Sequence, residues 1–549
     1  MRRRTSRAHS LAMHDHHHDF AARTPTAVES ILDPLKEGGE ASAVATVEAL
    51  VVQYARDARK YLVACDKLLR VFSANDELVV EVACAGIRAA SFSPNGRYIV
   101  TFQRPHKNEE GCFVPNLLVW RVEDGTNVLS LNQKELDKDH WPSVQFTADE
   151  RHCVSQVTNT LHVYDLKDSE AGPCLKFPVK GVSKFSLCPT STMDGRMLVM
   201  AYVPEIKGTP GFLALHQMAS CPQGTTPTPL ARKSFFRANS VRFLWNSTGS
   251  SVLIIAAADV DATNQSYYGE QKLFFFSADG SQDMAVPMPK EGPIHDVQWS
   301  PKGDFFVTVA GFMPAKSTLF NSSCVPKFDL GSGPYSLVRW NPFGRFFALA
   351  GFGNLPGDMT FYDKKADAKC KVMGTTRASN GVSLEWSPCG RYVLTATTAP
   401  RLRVDNGFQV FKYNGDLLAQ KRYDVLYEAM WRPVEEGTFE DRPQTPRAQG
   451  AKEPSGPAAL PQPARSAGYV PPHLRRQGIT SAPKASFSLA RDQEDIGGKI
   501  KQTLAAARAA RASSVPGAVP GDEPVSGASK AASKNAKRRA KKKQTAETS

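Results

Sequence analysis

Four copies of one nine-residue pattern decide the fold of this chain. They read F-S-P-N-G-R-Y-I-V at 92–100, W-S-P-K-G-D-F-F-V at 299–307, W-N-P-F-G-R-F-F-A at 340–348 and W-S-P-C-G-R-Y-V-L at 386–394. In each copy an aromatic residue ends an alternating apolar segment, and a β-branched or aromatic run follows the turn. Pro fixes φ at the first corner of that turn, and Gly supplies the corner where φ is positive. Each copy therefore predicts a hairpin of two strands.

The pattern recurs along the chain. Weaker copies occupy 54–62, 146–154 and 245–253, and strand-like segments follow the hairpins at 117–122, 161–166, 359–363 and 408–413. Four strands every roughly 40–60 residues is the repeat of a β-propeller blade. The predicted blades start near residues 48, 87, 143, 182, 240, 294, 335, 381 and 427. The sequence thus predicts an all-β, WD40-like propeller with nine blades; eight blades, or a series of separate β-sandwiches, are the alternatives.

The ends of this repeat region suggest how the ring closes. The last copy, Y-E-A-M-W-R-P at 427–433, soon runs out of strand-like sequence and would leave an open sheet edge. We expect the segment before residue 48 to add a strand to this last blade. The predicted domains are a partly disordered N-terminal extension at 1–47, a propeller at 48–433 and a tail at 434–549. The tail is rich in Pro, Ala and Ser and should be disordered apart from a short helix.

The tail carries most of the positive charge. Residues 434–549 contain 20 basic and 11 acidic side chains, which is +9 of a net charge of +14. Three islands stand out: Y-V-P-P-H-L-R-R-Q at 469–477, an Ala-rich basic segment from Asp495 and a Lys-rich run at 530–543. The candidate RNA contacts in the tail are Arg475, Arg476, Lys537, Arg538, Arg539, Lys541, Lys542 and Lys543. A nuclear localisation signal or a solubilising tail is the alternative for the last island.

The long connections should lie on one face of the propeller. Turns between the first two strands are short, whereas those between the second and third are long, as at 103–116, 203–211, 258–271, 311–316, 351–357 and 395–407. Long loops on a rigid scaffold often bind partners. The candidate ribosome or RNA contacts on these loops are Arg104, Lys107, Lys207, Tyr267, Tyr268, Lys316, Arg401 and Arg403. Alternatively, the Tyr pair plugs the propeller and the cations pair with Asp259, Asp261 or Asp405.

Motifs for catalysis are missing from the sequence. It has no G-x-x-x-x-G-K-[ST] loop, no H-E-x-x-H and no G-x-S-x-G, so we expect no catalytic residue and no cofactor. Its ten cysteines form no C-x-x-C pair, and the histidines at 14 and 16–18 are expected to be incidental, so no metal site is predicted. The longest apolar run, at 252–258, is too short to span a membrane. We expect a monomeric cytoplasmic protein, with a mitochondrial presequence as the alternative for the Arg-rich start.

Several loops resemble one known family. They are D-V-D-A-T-N-Q-S-Y-Y-G-E-Q at 259–271, G-F-M-P-A-K at 311–316, A-G-F-G-N-L at 350–355 and T-A-T-T-A-P-R-L-R-V-D-N-G-F at 395–408. A propeller has no generic reason to contain these strings, and the Y-V-P-P-H-L-R-R island and the Lys-rich run of the tail are similar in style. The chain thus resembles the eukaryotic translation initiation factor 2A family over roughly 48–433. The first 47 residues and the short tail depart from the family pattern.

The resemblance implies both a fold and a function. It implies a nine-bladed propeller and a non-enzymatic initiation factor that binds the small ribosomal subunit and initiator methionyl-tRNA without GTP. The implied partners are therefore the small subunit, initiator tRNA and mRNA, with other initiation factors as possible additions. The resemblance implies no specific site residues in this sequence. The alternative functions are a scaffold resembling the large propeller subunit of initiation factor 3, and a propeller hydrolase with a metal or carboxylate cluster in the channel.

Overall fold

The structure is a computed structural model of the chain. It describes residues 19–31, 41–45 (backbone only), 48–168, 171–190, 196–206, 208–219, 227–236, 238–258, 269–399 and 401–445. The three islands of the tail and the histidines at 14 and 16–18 lie outside these ranges. Within them, one complete helical element is present, the 3-10 turn Lys138–His140, and no helix is long and apolar enough to cross a membrane.

The described residues form nine four-stranded antiparallel sheets, which we number as blades. The chain begins with β1 (Phe20–Arg23), β2 (Val28–Ile31) and β3 (Ala41–Ala45). Blade 1 contains β4 (Val51–Tyr54), β5 (Lys60–Ala64), β6 (Leu68–Ser73) and β7 (Leu78–Ala83). Blade 2 contains β8 (Ile87–Phe92), β9 (Tyr98–Gln103), β10 (Leu117–Arg121) and β11 (Asn127–Leu131). Blade 3 contains β12 (Gln145–Phe146), β13 (His152–Val157), β14 (Thr160–Asp165) and β15 (Leu175–Pro178).

The same arrangement continues through the middle of the chain. Blade 4 contains β16 (Lys184–Leu187), β17 (Met197–Val203), β18 (Gly211–Met218) and β19 (Ala231–Phe235). Blade 5 contains β20 (Ser240–Trp245), β21 (Ser251–Ala257), β22 (Gln271–Ser277) and β23 (Asp283–Ala285). Blade 6 contains β24 (Ile294–Trp299), β25 (Phe305–Ala310), β26 (Ala315–Asn321) and β27 (Pro326–Gly333).

The last blades complete the ring. Blade 7 contains β28 (Leu337–Trp340), β29 (Phe346–Ala350), β30 (Asp358–Lys364) and β31 (Cys370–Arg377). Blade 8 contains β32 (Ser383–Trp386), β33 (Tyr392–Thr397), β34 (Gly407–Lys412) and β35 (Leu417–Arg422). Blade 9 begins with β36 (Glu428–Trp431). We call the four strands of each blade a to d in their order across the sheet. The nine a strands begin within three residues of the predicted blade starts, so the nine-bladed propeller is confirmed.

Blade 9 is built from both ends of the chain. Its strand order is β36, β1, β2, β3, and Phe20 of β1 lies opposite Trp431 of β36 in the register. One added strand was expected from the sequence, whereas the structure contains three from the N-terminal segment. A single added strand would leave a two-stranded sheet, which is marginally stable by itself. The two further strands bring blade 9 to the same size as its neighbours.

Apolar clusters lie between neighbouring blades and form the core. Between blades 4 and 5, for example, Tyr202, Leu213, Val252 and Phe276 are fully buried in one cluster. Burial of side chains of this size stabilises the fold by roughly 1.5–3 kcal/mol each. Because each blade shares its core with the next, the loops at the strand ends are held on a rigid ring.

Tryptophans at the ends of the a strands connect successive blades. They are the aromatic residues that precede the predicted turns, at positions 245, 299, 340, 386 and 431. Each indole Nε1 donates a hydrogen bond to the a strand of the preceding blade. The acceptors are Ser186 Oγ (3.1 Å), Leu244 O (2.8 Å), Gln298 O (3.3 Å), Arg339 O (2.9 Å) and Glu385 O (3.3 Å). The aromatic position of the repeat thus serves contacts between blades as well as the hairpin itself.

A strap of residues 433–445 follows blade 9 and contacts the end of the propeller that carries the a–b turns. Glu435 Oε1 lies 2.9 Å from Arg59 Nε in blade 1. In blade 8, the Arg391 guanidinium donates to Pro443 O at 2.9 Å and to Thr445 Oγ1 at 2.8 Å. The described, hydrogen-bonded part of the chain therefore continues past residue 433, the predicted end of the propeller.

Candidate interaction face of the propeller

One end of the ring gathers the long connections. Because adjacent strands are antiparallel, the b–c loops and the connections from strand d to the next strand a lie at the same end of the sheets. We call this end the bc face and the opposite end, with the a–b turns and the strap, the ab face. The bc face includes the long loops at 104–116, 204–210, 311–314, 351–357 and 398–406. It is the face on which the sequence analysis places the long loops between the second and third strands.

Exposed apolar side chains concentrate on the bc face. Of fourteen large apolar residues that are exposed in the described ranges, eight lie in its connections or at the strand ends beside them. These are Leu50, Phe113, Val157, Ile206, Phe236, Phe312, Met313 and Val404. Apolar groups on one side of a propeller, among charged loops, are typical of a macromolecular contact surface.

Two predicted cations lie together on blade 2. The backbone N–H of Arg104 donates to Gly86 O at 2.8 Å, which ties the b–c loop to the connection that precedes the blade. Lys107 Nζ lies 4.9 Å from the centre of the Phe113 ring. Both cations are exposed, so the loop presents two positive charges and an aromatic ring on a fixed backbone.

Lys316 was predicted on the loop at 311–316, but it lies in strand β26 and pairs there with an acid. Its ammonium group forms a short ion pair with the carboxylate of Asp329, and its side chain is only 24% exposed. The hydrogen bond from Lys316 is the main reason that the pKa of Asp329 lies below its ordinary value. The alternative in which the cation pairs with an acid therefore holds for Lys316. Its partner is Asp329 and not Asp259, Asp261 or Asp405.

Arg401 and Arg403 lie on the b–c loop of blade 8, and both are exposed. The loop is stabilised by hydrogen bonds of Asn406, which is buried at 2% exposure. Its amide Nδ2 donates to Leu402 O at 2.8 Å, and its Oδ1 accepts from the backbone N–H of Leu426 at 3.0 Å. Asn406 was not predicted from the sequence. The polar D-N-G turn that ends the loop is the signal that could have revealed it.

Many candidates lie outside the described residues. In the loops they are Lys207, Tyr267 and Tyr268, together with the predicted acidic partners Asp259 and Asp261. In the tail they are Arg475, Arg476, Lys537, Arg538, Arg539, Lys541, Lys542 and Lys543. The structure places five candidates: Arg104 and Lys107 on blade 2, Lys316 on blade 6, and Arg401 and Arg403 on blade 8.

Comparisons with known proteins give the family. The family model for "Eukaryotic translation initiation factor eIF2A" matches residues 233–429. The chain is 32% identical over 428 residues to eukaryotic translation initiation factor 2A of Schizosaccharomyces pombe, covering 76% of this chain and 70% of that protein. This chain belongs to the eukaryotic translation initiation factor 2A family. The resemblance seen in the sequence is therefore confirmed.

Two further relatives agree with this family membership. The factor 2A of Drosophila melanogaster is 36% identical over 391 residues, which are 70% of this chain and 59% of that protein. A solved crystal structure of a eukaryotic initiation factor superposes with a TM-score of 0.65 at 29% identity. The match covers 76% of this chain and 98% of the other. Within this factor 2A chain, the family-model match includes the blade 8 loop but not Arg104 or Lys107.

This factor 2A chain also has a polar cluster that was not predicted from the sequence. At a cavity of about 210 Å³ on the bc face, Lys184 Nζ lies 3.0 Å from His140 Nδ1 and 3.4 Å from Asp137 Oδ2. Burial and the neighbouring ammonium group lower the pKa of His140 from its ordinary value. The D-K-D-H string at 137–140 lies between blades 2 and 3, in a d–a connection. The contacts that the sequence predicts on the propeller lie on its b–c loops, so this cluster in a d–a connection was not among them.

The shape of loop 351–357 depends on Gly357. A Cβ atom at this position would lie 2.1 Å from Ala378 O, and φ is +92°. Gly331 has a similar φ of +88° but no heavy atom within 4 Å of its Cβ position. We expect Gly331→Ala to cost about 1–2 kcal/mol of unfolding free energy, for the backbone alone. Gly357→Ala should cost about 2–3 kcal/mol, because the collision adds to the backbone term.

Urea unfolding of both glycine variants separates the two contributions. The difference between them isolates the contact between loop 351–357 and the connection at 378. Equal losses of stability in the two variants would show that this contact does not hold the loop in place.

Proposed function

We propose that this protein is a non-enzymatic translation initiation factor that binds the small ribosomal subunit and initiator methionyl-tRNA or mRNA without GTP. It would act as a monomer in the cytoplasm, and other initiation factors could join the complex. Membership of the factor 2A family supports a role in initiation. The observation that carries the proposal is the bc face, where exposed apolar side chains and exposed cations share one rigid surface.

The bc face suits a ribosomal partner for two reasons. Exposed aromatic groups such as Phe113 and Phe312 can contact protein or stack on unpaired bases. Exposed guanidinium and ammonium groups such as Arg104, Lys107, Arg401 and Arg403 can contact phosphates. Lys207, Tyr267 and Tyr268 complete the proposed loop contacts, and Lys316, in strand β26, is a further proposed contact. For Lys316, binding would first require that its ion pair with Asp329 open.

The tail would add an electrostatic contact to RNA. Its run at 530–543 holds eight basic residues in fourteen and no acidic residue. Such a segment binds phosphates with little sequence preference and with strong dependence on salt. We propose that the propeller selects the small subunit while the tail increases the affinity for RNA.

The test compares the full chain with a chain that ends at residue 458. This end point removes all three tail islands but keeps the strap at 433–445, which contacts the propeller. Binding of initiator methionyl-tRNA and of purified small subunits is measured between about 50 and 200 mM KCl. We expect truncation to weaken tRNA binding about tenfold at the lower salt concentration and to reduce its salt dependence. Binding to the small subunit should be largely retained.

The control is an unrelated protein of equal net charge. If neither chain binds tRNA or subunits better than this control, the proposal is wrong. Recovery of a stable stoichiometric multiprotein complex at high salt, with no direct RNA binding, would instead favour a scaffold function.

A further inference from the structure

A polar cavity lies between blades 7 and 8 and opens on the bc face. Its volume is about 220 Å³, roughly seven times the share of liquid volume of one water molecule, about 30 Å³. One wall is the sheet of blade 8, where Thr395, Gln409 and Gln420 lie opposite one another on strands b, c and d. The other wall is the connection at 378–381. The cavity thus replaces part of the apolar contact between two blades with hydrogen-bonding groups.

Gly407 and Arg422 both line the cavity. These two residues are cross-strand neighbours, and Thr397 completes their row on strand b. A Cβ atom on residue 407 would lie 2.3 Å from Lys421 O, so the strands approach too closely for a side chain. Because residue 407 has no side chain, Arg422 has no side-chain neighbour on the facing position of strand c.

Among the described residues, three cations line the cavity, and two of them, Arg377 and Lys421, are already paired with acids. Arg377 Nε lies 2.6 Å from Asp358 Oδ1, and Lys421 Nζ lies 3.4 Å from Glu29 Oε2. The third, Arg422, is exposed and forms no ion pair within the described residues. The same holds for Arg401 and Arg403 on the loop that leads into the cavity wall at Asp405. The acid left in the wall is Asp405, whose Oδ2 accepts from Asn380 Nδ2 at 3.4 Å. Free positive charge therefore exceeds free negative charge at this opening.

We propose that this cavity binds a phosphate group of an RNA backbone, with Arg422 as its main ligand and Arg401 and Arg403 contacting the flanking phosphates. This inference rests on the proposed function and gives it a defined site. Guanidinium groups bind phosphate through two parallel hydrogen bonds, and the amide of Gln420 and the hydroxyl of Ser379 supply neutral donors.

The lining favours RNA over an acidic peptide. A bound peptide gains most of its affinity from apolar anchors in pockets. Here the wall offers Thr, Ser, Asn and Gln side chains, while Phe408 and Ala378 are buried beneath them. A phosphodiester needs only charge and donors, and both are present.

The test uses the full chain and an oligouridylate of about 12 nucleotides labelled with fluorescein. Arg422→Glu is compared with Arg56→Glu, since Arg56 is an exposed arginine on the ab face with no ion pair in the described residues. Both variants change the net charge equally. At about 100 mM KCl we expect Arg422→Glu to weaken binding roughly five- to tenfold and Arg56→Glu by less than about twofold. The slope of the logarithm of the binding constant against the logarithm of the salt concentration should become shallower by about 0.7 for each phosphate that the variant no longer binds.

A second measurement locates the bound RNA directly. With an oligonucleotide that carries 4-thiouridine, photocrosslinks should map to peptides from 378–409 and disappear in Arg422→Gln, which removes the charge but retains a similar polar group. Equal weakening by Arg422→Glu and Arg56→Glu, with no crosslink in this region, would overturn the site. If the full chain still binds initiator tRNA in that case, the proposed function survives. If it binds neither RNA, both proposals fail.

Discussion

Replacing Phe20 with Ala is expected to lower the free energy of unfolding by about 3–5 kcal/mol. The ring of Phe20 is fully buried in blade 9. It lies edge-on to Phe408 of blade 8 at 4.5 Å and to Trp431 of its own blade at 5.6 Å. It therefore joins the N-terminal strand to the last strand of the chain and to the neighbouring blade. Loss of this ring leaves a cavity at the closure of the propeller. Urea unfolding followed by tryptophan fluorescence measures the effect.

Phe113→Ala is the matched control for this closure. The same side chain is removed there, but Phe113 is 63% exposed on a bc-face loop, so the loss of stability should stay within about 0.5 kcal/mol. If Phe20→Ala loses no more stability than Phe113→Ala, the contacts in blade 9 do not hold the ring shut. Because closure fixes the relative positions of all nine blades, Phe20→Ala should also weaken binding of small subunits at temperatures near its unfolding transition.

Replacing Asp296 with Ala should cost about 3 kcal/mol. This carboxylate is 8% exposed and connects blade 6 to blade 7. Its Oδ2 accepts from the backbone N–H of Val338 at 3.0 Å and from Arg339 Nη1 at 2.7 Å. Removing it leaves the buried N–H of Val338 without a partner, and such an unpaired group costs more than the bond itself contributed. It also removes the carboxylate beside the half-buried guanidinium of Arg339, whose Nη1 then keeps its bond to Val338 O at 2.6 Å. The measurement is again equilibrium unfolding.

Two companion variants sharpen the Asp296 prediction. Asp367→Ala removes an exposed carboxylate that pairs with Lys369 at 2.9 Å, and it should leave the unfolding midpoint nearly unchanged, because water screens this pair. Asp296→Asn keeps an acceptor for the N–H of Val338, so its loss of stability should fall between the other two. A loss from Asp296→Ala no greater than that from Asp367→Ala would contradict the bridging function of this residue.

The same type of bridge recurs around the channel. In each case a side chain on one a strand accepts a hydrogen bond from a backbone N–H of the next a strand. The other such pairs are Gln53 with Phe92 (3.0 Å), Gln145 with Leu187 (2.8 Å) and Glu385 with Trp431 (3.3 Å). Two of these bridges, from blade 6 to blade 7 and from blade 8 to blade 9, join a strands that an indole bond also joins.

The candidate site was only partly predictable from the sequence. Loop length and charge select the bc face, because strand alternation alone determines which connections share an end of the ring. The sequence does not show that Asp329 neutralises Lys316, since the acid comes from the next strand and depends on the path of the turn. Nor does it show the cavity beside Arg422, which lies between the connection at 378–381 and the sheet of blade 8, two segments that are brought together only by the packing of the blades.

The repeat by itself determined the fold class, the number of blades and the face that bears the long loops. Turn chemistry and alternation act between residues that are close in sequence, so each hairpin can be recognised locally. Only the tertiary structure decided how the ring closes, which cations stay unpaired and where two blades separate to leave a cavity. Those outcomes depend on contacts such as that between Phe20 and Trp431, whose positions in the chain lie far apart, and a local pattern carries no information about them.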